Sequence, residues 1–205
     1  VDRIRETFPN SKILGEEGEA DKDLDDFKGL LWIIDPIDGT MNFVKQHDHF
    51  ASMIAVCENG IEKLGYILDV TEDELYWGGP ECGVFCNDQK VAPPKNLPLE
   101  EGLFGVGGKM LLSNYRNVQS AAKKSLGVRI YGSSGIEFIH VLTGKNVSYL
   151  SHLRPWDYAA GKILAETLGL VVKTIDEESL DMLSSSDVLV ATKNAHQGII
   201  KLMNS

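Results

Sequence analysis

The run Leu30-Leu31-Trp32-Ile33-Ile34, closed at once by Asp35-Pro36-Ile37-Asp38-Gly39-Thr40, constrains this chain more than any other feature. An unbroken apolar run of strand length predicts a strand buried on both faces, and so a sheet covered by other layers. The hexapeptide that ends it reads as a turn, since Pro36 fixes its own φ and Gly39 frees the backbone. Asp35 follows the apolar run directly, which puts its carboxylate at the edge of the core. In open α/β sheets, ligands sit beyond the carboxyl ends of strands.

The flanking sequence supplies the rest of such a fold. A helix tail is predicted through Phe8 and a short strand over Lys12 to Leu14. Phe50 to Cys57, Ile61 to Val70 and Glu74 to Trp77 read as strands, separated by Asn59-Gly60 and Thr71-Glu72-Asp73. Turns that short imply an antiparallel meander. Val84 to Cys86 and Lys90-Val91 add a hairpin. Pro93, Pro94 and Pro98 mark a connector between a 1–92 half and a 93–205 half. Beyond it, strands at Leu103 to Val106, Val128 to Tyr131, Leu170 to Lys173 and Val188 to Ala191 alternate with helices. The helices are placed at Lys109 to Ser125, Ile136 to Leu142, Trp156 to Leu168 and His196 to Met203. This order predicts a layered α/β (or α+β) fold. A length of 205 residues fits one domain, 1–205, with a core that needs no staples.

Charge narrows the ligand. Lys plus Arg is 20 against 30 Asp plus Glu, a net charge of −10. That balance argues against nucleic acid as the primary ligand, because a backbone binder needs a basic surface. A phosphorylated metabolite remains acceptable if cations bridge the like charges. Residues 16–26 hold seven of the acids and read as a solvated, mobile loop. The apolar runs are too short for a membrane span. The three cysteines, Cys57, Cys82 and Cys86, suggest no disulfide framework and read as small buried or half-buried thiols in strands. With no signal-peptide pattern at Val1-Asp2-Arg3, the expected location is the cytoplasm.

Three acidic sites carry the chemistry: Gly15-Glu16-Glu17-Gly18 after the first strand, Asp35 to Thr40, and Trp156-Asp157 at a helix start. Each has a plain reading alone, as an acidic loop, a turn and a helix cap. Pro36 holds Asp35 extended and the turn can swing Asp38 back toward it; two carboxylates about 4 Å apart repel by roughly 4 kcal/mol at an effective dielectric near 20. Protonation or a cation relieves that repulsion, and hard oxygen donors favour Mg²⁺, Mn²⁺ or Ca²⁺ over zinc. The Ile37 carbonyl could supply another oxygen, and the Thr40 hydroxyl could orient a water. If a helical turn begins at Gly39-Thr40, its free N–H groups favour an anion. These are the parts of metal-assisted phosphoryl transfer to water. Gly105-Val106-Gly107-Gly108-Lys109 lacks the P-loop pattern and reads as a backbone turn.

In this order, the three sites resemble the inositol monophosphatase family of Mg²⁺-dependent, lithium-sensitive phosphatases. Its first signature is similar to Trp32-Ile33-Ile34-Asp35-Pro36-Ile37-Asp38-Gly39-Thr40-Met41-Asn42-Phe43, its second to Trp156-Asp157-Tyr158-Ala159-Ala160-Gly161, and its upstream element to Gly15-Glu16-Glu17. The resemblance implies an α-β-α-β-α sandwich of the inositol monophosphatase and fructose-1,6-bisphosphatase type, usually a homodimer. The family's two helices upstream of the Glu-Glu element have no counterpart in the sequence given, so a sandwich without them is expected. Two or three Mg²⁺ ions are implied, with Mn²⁺ or Ca²⁺ able to substitute in binding. Glu16, Asp35, the Ile37 carbonyl, Asp38 and Asp157 would hold them. Gly39 and Thr40 would bind the phosphate through their N–H groups, Thr40 would orient the attacking water, and Glu17 would support the site. Water then displaces the alcohol in line, with no phosphoenzyme.

Gly132-Ser133-Ser134 loosely matches the family's substrate loop. Inositol-acting members carry a Glu seven residues before the Trp-Asp aspartate; Leu150 stands there in this chain and accepts no hydroxyl hydrogen bond. Inositol 1-phosphate is the default substrate. Fructose 1,6-bisphosphate, 3′-phosphoadenosine 5′-phosphate and histidinol phosphate are its rivals. Met41-Asn42, where the nucleotidase branch has Lys after the Thr, lowers the second of these. The alternative in a different class is a catalytically weak family fold that acts as a regulatory binding partner.

Overall fold

The structure, a computed structural model, describes residues 1–17, 21, 24 and 28–204. Of the expected acidic loop, Gly18, Glu19, Ala20, Lys22, Asp23, Asp25 and Asp26 lie outside the described residues. The first sheet follows chain order: β1 (Lys12–Gly15), β2 (Leu30–Asp38), β3 (Ala51–Glu58), β4 (Ile61–Asp69), β5 (Glu74–Gly79), β6 (Gly83–Cys86) and β7 (Gln89–Lys90). β1 pairs parallel with β2 and every later pair is antiparallel, as the short turns require. α1 (Asp2–Thr7) precedes this sheet, and Phe8 packs its ring on Trp32 at 5.4 Å. α2 (Thr40–Lys45) links β2 to β3.

The second sheet has the order β11-β12-β10-β8-β9, from β8 (Leu103–Val106), β9 (Gly127–Arg129), β10 (Ser148–Leu153), β11 (Val171–Thr174) and β12 (Ser186–Ala191). α3 (Gly108–Leu112) and α4 (Val118–Lys124) follow β8. α5 (Ser134–Leu142) and α6 (Pro155–Thr167) lie between the sheets, and α7 (Lys193–Met203) closes the outer side of the second. One core joins Ile33, Met53 and Ile67 of the first sheet to Phe138, Tyr158 and Ile163 of the two helices and to Tyr149 and Val190 of the second sheet. The other joins Phe104, Leu150 and Leu189 to Val118, Ala195 and Ile199. The described layers therefore run β–α–β–α.

Four local differences from the sequence reading have physical causes. The helix expected over Lys109 to Ser125 is broken, because Asn114, Arg116 and Asn117 take left-handed φ values of +51°, +49° and +63°. These split it into α3, a 3₁₀ turn and α4. β10, the middle strand of the second sheet, lies in a stretch where no strand was predicted. It is buried on both faces for most of its length, and the polar Ser151 and His152 mask its apolar character. β2 is not evenly buried: Ile33 is enclosed on the face that α6 covers, whereas Trp32 and Ile34 on its other face are half-buried. Cys57 is buried and Cys86 half-buried as expected, but Cys82 is exposed in the turn after β5. No described helix is long and apolar enough to cross a membrane.

Candidate functional site

The site begins with a defect in β2. Asp35 pairs with Met53 and Asp38 with Ala51, so three residue steps on β2 oppose two on β3. Side chains alternate along a strand, and residues three apart would normally face opposite ways. The extra residue is a bulge, and it returns Asp38 to the face of Asp35. Pro36, which has no N–H to give a ladder, sits in the bulge and is exposed. The segment read as a turn is thus a bulged strand end, and both carboxylates are buried, at 1% and 6% exposure.

Asp38 is gripped by the start of α5. Its Oδ2 accepts hydrogen bonds from the Ser133 hydroxyl and, at 2.8 Å, from Gly135 N–H. Its Oδ1 accepts from Ser134 N–H at 3.1 Å and from the Ser134 hydroxyl at 2.8 Å. Ser133 Oγ also accepts from Ile136 N–H and caps α5. Gly39, at φ +83°, allows this approach: a Cβ there would lie 2.8 Å from Ser133 Cβ. Asp157 sits in the first turn of α6, where its Oδ2 accepts from Arg154 N–H at 2.8 Å.

Carboxylate oxygens of Asp35, Asp38 and Asp157 all lie within 4.8 Å of one another. Burial pushes Asp35 up to about 8, with the charges of Asp38, Glu16 and Asp157 adding to it, against one hydrogen bond from Ile37 N–H. Burial pushes Asp157 up to about 6, with Asp38 and Glu16 adding and the Arg154 N–H and charge opposing. Asp38 is also raised by burial, and its four hydrogen bonds oppose that. None of the three forms a salt bridge with a described Lys or Arg. Hard oxygen donors, crowded and unpaired, fit a hard divalent cation.

The other residues named from the sequence fall around this cluster. Glu16 and Glu17 are exposed in the turn after β1; Glu16 stands outside the 4.8 Å triad, yet its charge reaches Asp35 and Asp157. A short helix does begin at Thr40, whose hydroxyl donates to the Ile37 carbonyl at 3.1 Å. Gly132, Ser133 and Ser134 line a cavity of about 420 Å³ together with Asp38 and Asp157. The Ser133 and Ser134 hydroxyls are nevertheless directed to Asp38. Leu150 does not line that cavity: the alternation of β10 turns it into the second core, fully buried, while Tyr149 and Ser151 face the cavity. The comparison with a sugar-contacting Glu therefore fails at this position on geometry as well as chemistry.

Two supporting residues went unassigned in the sequence. Asn42, buried on α2, donates through Nδ2 to the carbonyls of His49 at 2.8 Å and Tyr131 at 2.6 Å. Glu137 accepts from Tyr131 N–H at 3.0 Å and from Asn146 Nδ2 at 3.3 Å; burial pushes it up to about 8. The two fix both polar groups of residue 131, one step before the loop that holds Asp38. The signal for Glu137 was a lone acid inside the apolar helix Ile136 to Leu142. Asn42→Ala strands two carbonyls, at roughly 1–3 kcal/mol for a buried polar group left unmade. A lower melting temperature and a lower turnover are expected; a wild-type melting curve would contradict the clamp.

A family model described as the inositol monophosphatase family matches residues 1–205. The chain is 41% identical to the inositol-1-monophosphatase of Bacillus subtilis over 98% of its own length and 77% of that protein. It is 30% identical to the fructose-1,6-bisphosphatase/inositol-1-monophosphatase of Thermotoga maritima, over 100% of this chain and 77% of the other. Its fold matches a crystal structure of an IMPase/NADP phosphatase complexed with Mg²⁺ and phosphate, with a TM-score of 0.92 and 29% identity over 100% of this chain and 77% of that one.

Proposed function

The chain belongs to the inositol monophosphatase family, and from that premise we propose that it is a Mg²⁺-dependent enzyme that releases phosphate from a small phosphorylated metabolite, inositol 1-phosphate first. Membership makes it a phosphomonoester hydrolase. The observation that carries the metal dependence is the approach of three buried or half-buried carboxylates to within 4.8 Å without a cationic side chain between them.

Asp35, Asp38 and Asp157 would hold two or three Mg²⁺ ions, joined by Glu16 and the Ile37 carbonyl. Bound there, the ions stabilise charge on the phosphoryl oxygens and lower the pKa of water. The protein's own part is orientation. Ile37 N–H, the start of α5 and Arg154 N–H hold the three carboxylates in place. The N–H groups of Gly39 and Thr40 bind the phosphate. The Thr40 hydroxyl spends its proton on the Ile37 carbonyl, so its lone pairs are left to accept from the attacking water and aim it. Glu17 supports the site from outside, and Gly132 lines the substrate cavity. On the same reading the enzyme is a lithium-sensitive cytoplasmic homodimer with one domain over 1–205.

The deciding measurement is inorganic phosphate released from inositol 1-phosphate and a panel of other phosphomonoesters. Release with Mg²⁺ and none in EDTA is expected. A panel left intact at millimolar Mg²⁺ would end the proposal.

A further inference from the structure

A groove on the outer face of the second sheet shares no lining residue with the cavity of Asp38 and Asp157. We propose that it docks an extended acidic peptide of a partner protein, one that carries an apolar side chain between two carboxylates. Strand alternation builds the groove. Val172 points into the core that joins the two sheets, so Val171 and Lys173 point outward, on the side of Ala191 and Leu189, with which they pair. β11 is an edge strand, and α7 lies over its neighbour β12. Ala195, Ile199 and Met203 of α7 turn to the second core. The flank of Lys193, His196, Gln197, Ile200 and Lys201 follows helical spacing and shares with Val171 and Lys173 a cavity of about 550 Å³.

Charge and spacing select the occupant. Half-buried Val171 and Ile200 give the groove an apolar floor. Three lysines border it against one carboxylate, that of Glu177, in a chain of net charge −10. Lys193 and Lys201 are exposed and take no part in the salt bridges of the described residues, which use Lys63, Lys124, Lys162 and Lys173. Glu177 marks where a carboxylate goes: its Oε2 lies 3.5 Å from Lys173 Nζ and its Oε1 3.7 Å from His196 Nε2. Both contacts are longer than a good hydrogen bond. His196 is only 5% exposed, yet its Nε2 has no hydrogen-bond partner among the described residues. A carboxylate brought closer than that of Glu177 supplies one to the Nε2–H tautomer. Lys193 and Lys201 stand eight residues apart, about 12 Å along the helix. One small anion cannot touch both. Two acids four residues apart on an extended chain span about 13 Å, and the residue midway between them faces the same way, toward the apolar floor. A nucleic-acid backbone needs a broad basic surface, which three lysines on an acidic chain do not make.

The test follows the fluorescence anisotropy of a labelled peptide with Glu-Thr-Leu-Thr-Glu at its centre, titrated with the whole chain. Saturable binding is expected, and a peptide with lysine in place of both glutamates should bind about tenfold more weakly. Lys193→Glu combined with Lys201→Glu should weaken the acidic peptide about tenfold, the scale of two reversed surface charges, with a native circular dichroism spectrum. Glu177→Gln should tighten it about threefold, because the competing carboxylate is gone. Phosphate release with Mg²⁺ should stay within twofold of wild type in these variants, so docking and the phosphatase reading fail or stand separately. No saturable binding, an unchanged affinity in the double variant, or weaker binding in Glu177→Gln overturns the proposal. A single-stranded oligonucleotide that outcompetes the peptide overturns it in favour of nucleic acid. A wild-type dimer that the double variant breaks overturns it in favour of a second copy of this chain.

Discussion

Asp38→Asn is expected to lower kcat/KM by about a thousandfold or more, the scale of several kcal/mol of lost transition-state stabilisation. The loss has two sources. The amide removes a charge from the cation site. It also sets a donor against donors, since both oxygens of Asp38 already accept a backbone N–H, from Ser134 on one side and Gly135 on the other. Whichever way the amide is turned, its NH₂ meets one of them. Hydroxyls can rotate away; a backbone N–H cannot. One unmade buried hydrogen bond costs roughly 1–3 kcal/mol, so the melting temperature should fall by several degrees while the circular dichroism spectrum stays native. Turnover at the wild-type level in this variant would remove Asp38 from the site.

Asp35→Asn should move stability the other way. The amide oxygen can keep the bond from Ile37 N–H, which is the one hydrogen bond that Asp35 accepts among those described. The variant sheds a carboxylate that burial and three neighbouring acids make costly to ionise. In metal-free buffer it should therefore melt above the wild type, and the stabilisation by added Mg²⁺ should shrink or vanish, with turnover lost. The pH dependence follows from the same group. In the folded protein Asp35 titrates near 8, against an ordinary value of 3.8, and Asp157 near 6. Between about pH 4 and 8 the folded state holds protons that the unfolded chain has released. Metal-free stability then falls as pH rises and levels off above about 8. Asp35→Asn should flatten that slope in thermal melts taken from pH 4 to 8. Mg²⁺ competes with those protons, so it should stabilise the wild type more at pH 8 than at pH 5. A slope of the same size in both proteins would mean that Asp35 is ionised throughout.

Much of this was legible before any fold was known. Residue type carries the chemistry: Asp35, Asp38 and Asp157 are hard donors wherever they sit, and the short turns of the meander force antiparallel pairing. Local signals failed where partners far along the chain decide the outcome. β10 carries Ser151 and His152 and looks mixed, yet it becomes the middle of a sheet because β8 and β12 flank it. The helix over Lys109 to Ser125 reads as continuous from its composition, yet Asn114, Arg116 and Asn117 accept left-handed backbone there.

The amino-acid order alone determined which side chains could hold a cation and that a buried strand delivers two of them. The sequence brings Asp38 back toward Asp35 through a turn; the tertiary structure decided how they meet, by an extra residue in β2 that becomes visible only when it is counted against β3. The same holds for Ser133 and Ser134, which close on Asp38 from 95 and 96 residues away, and for Leu150, which strand alternation turns from the cavity into the core. Facing is a property of register, and register belongs to pairs of strands rather than to either one.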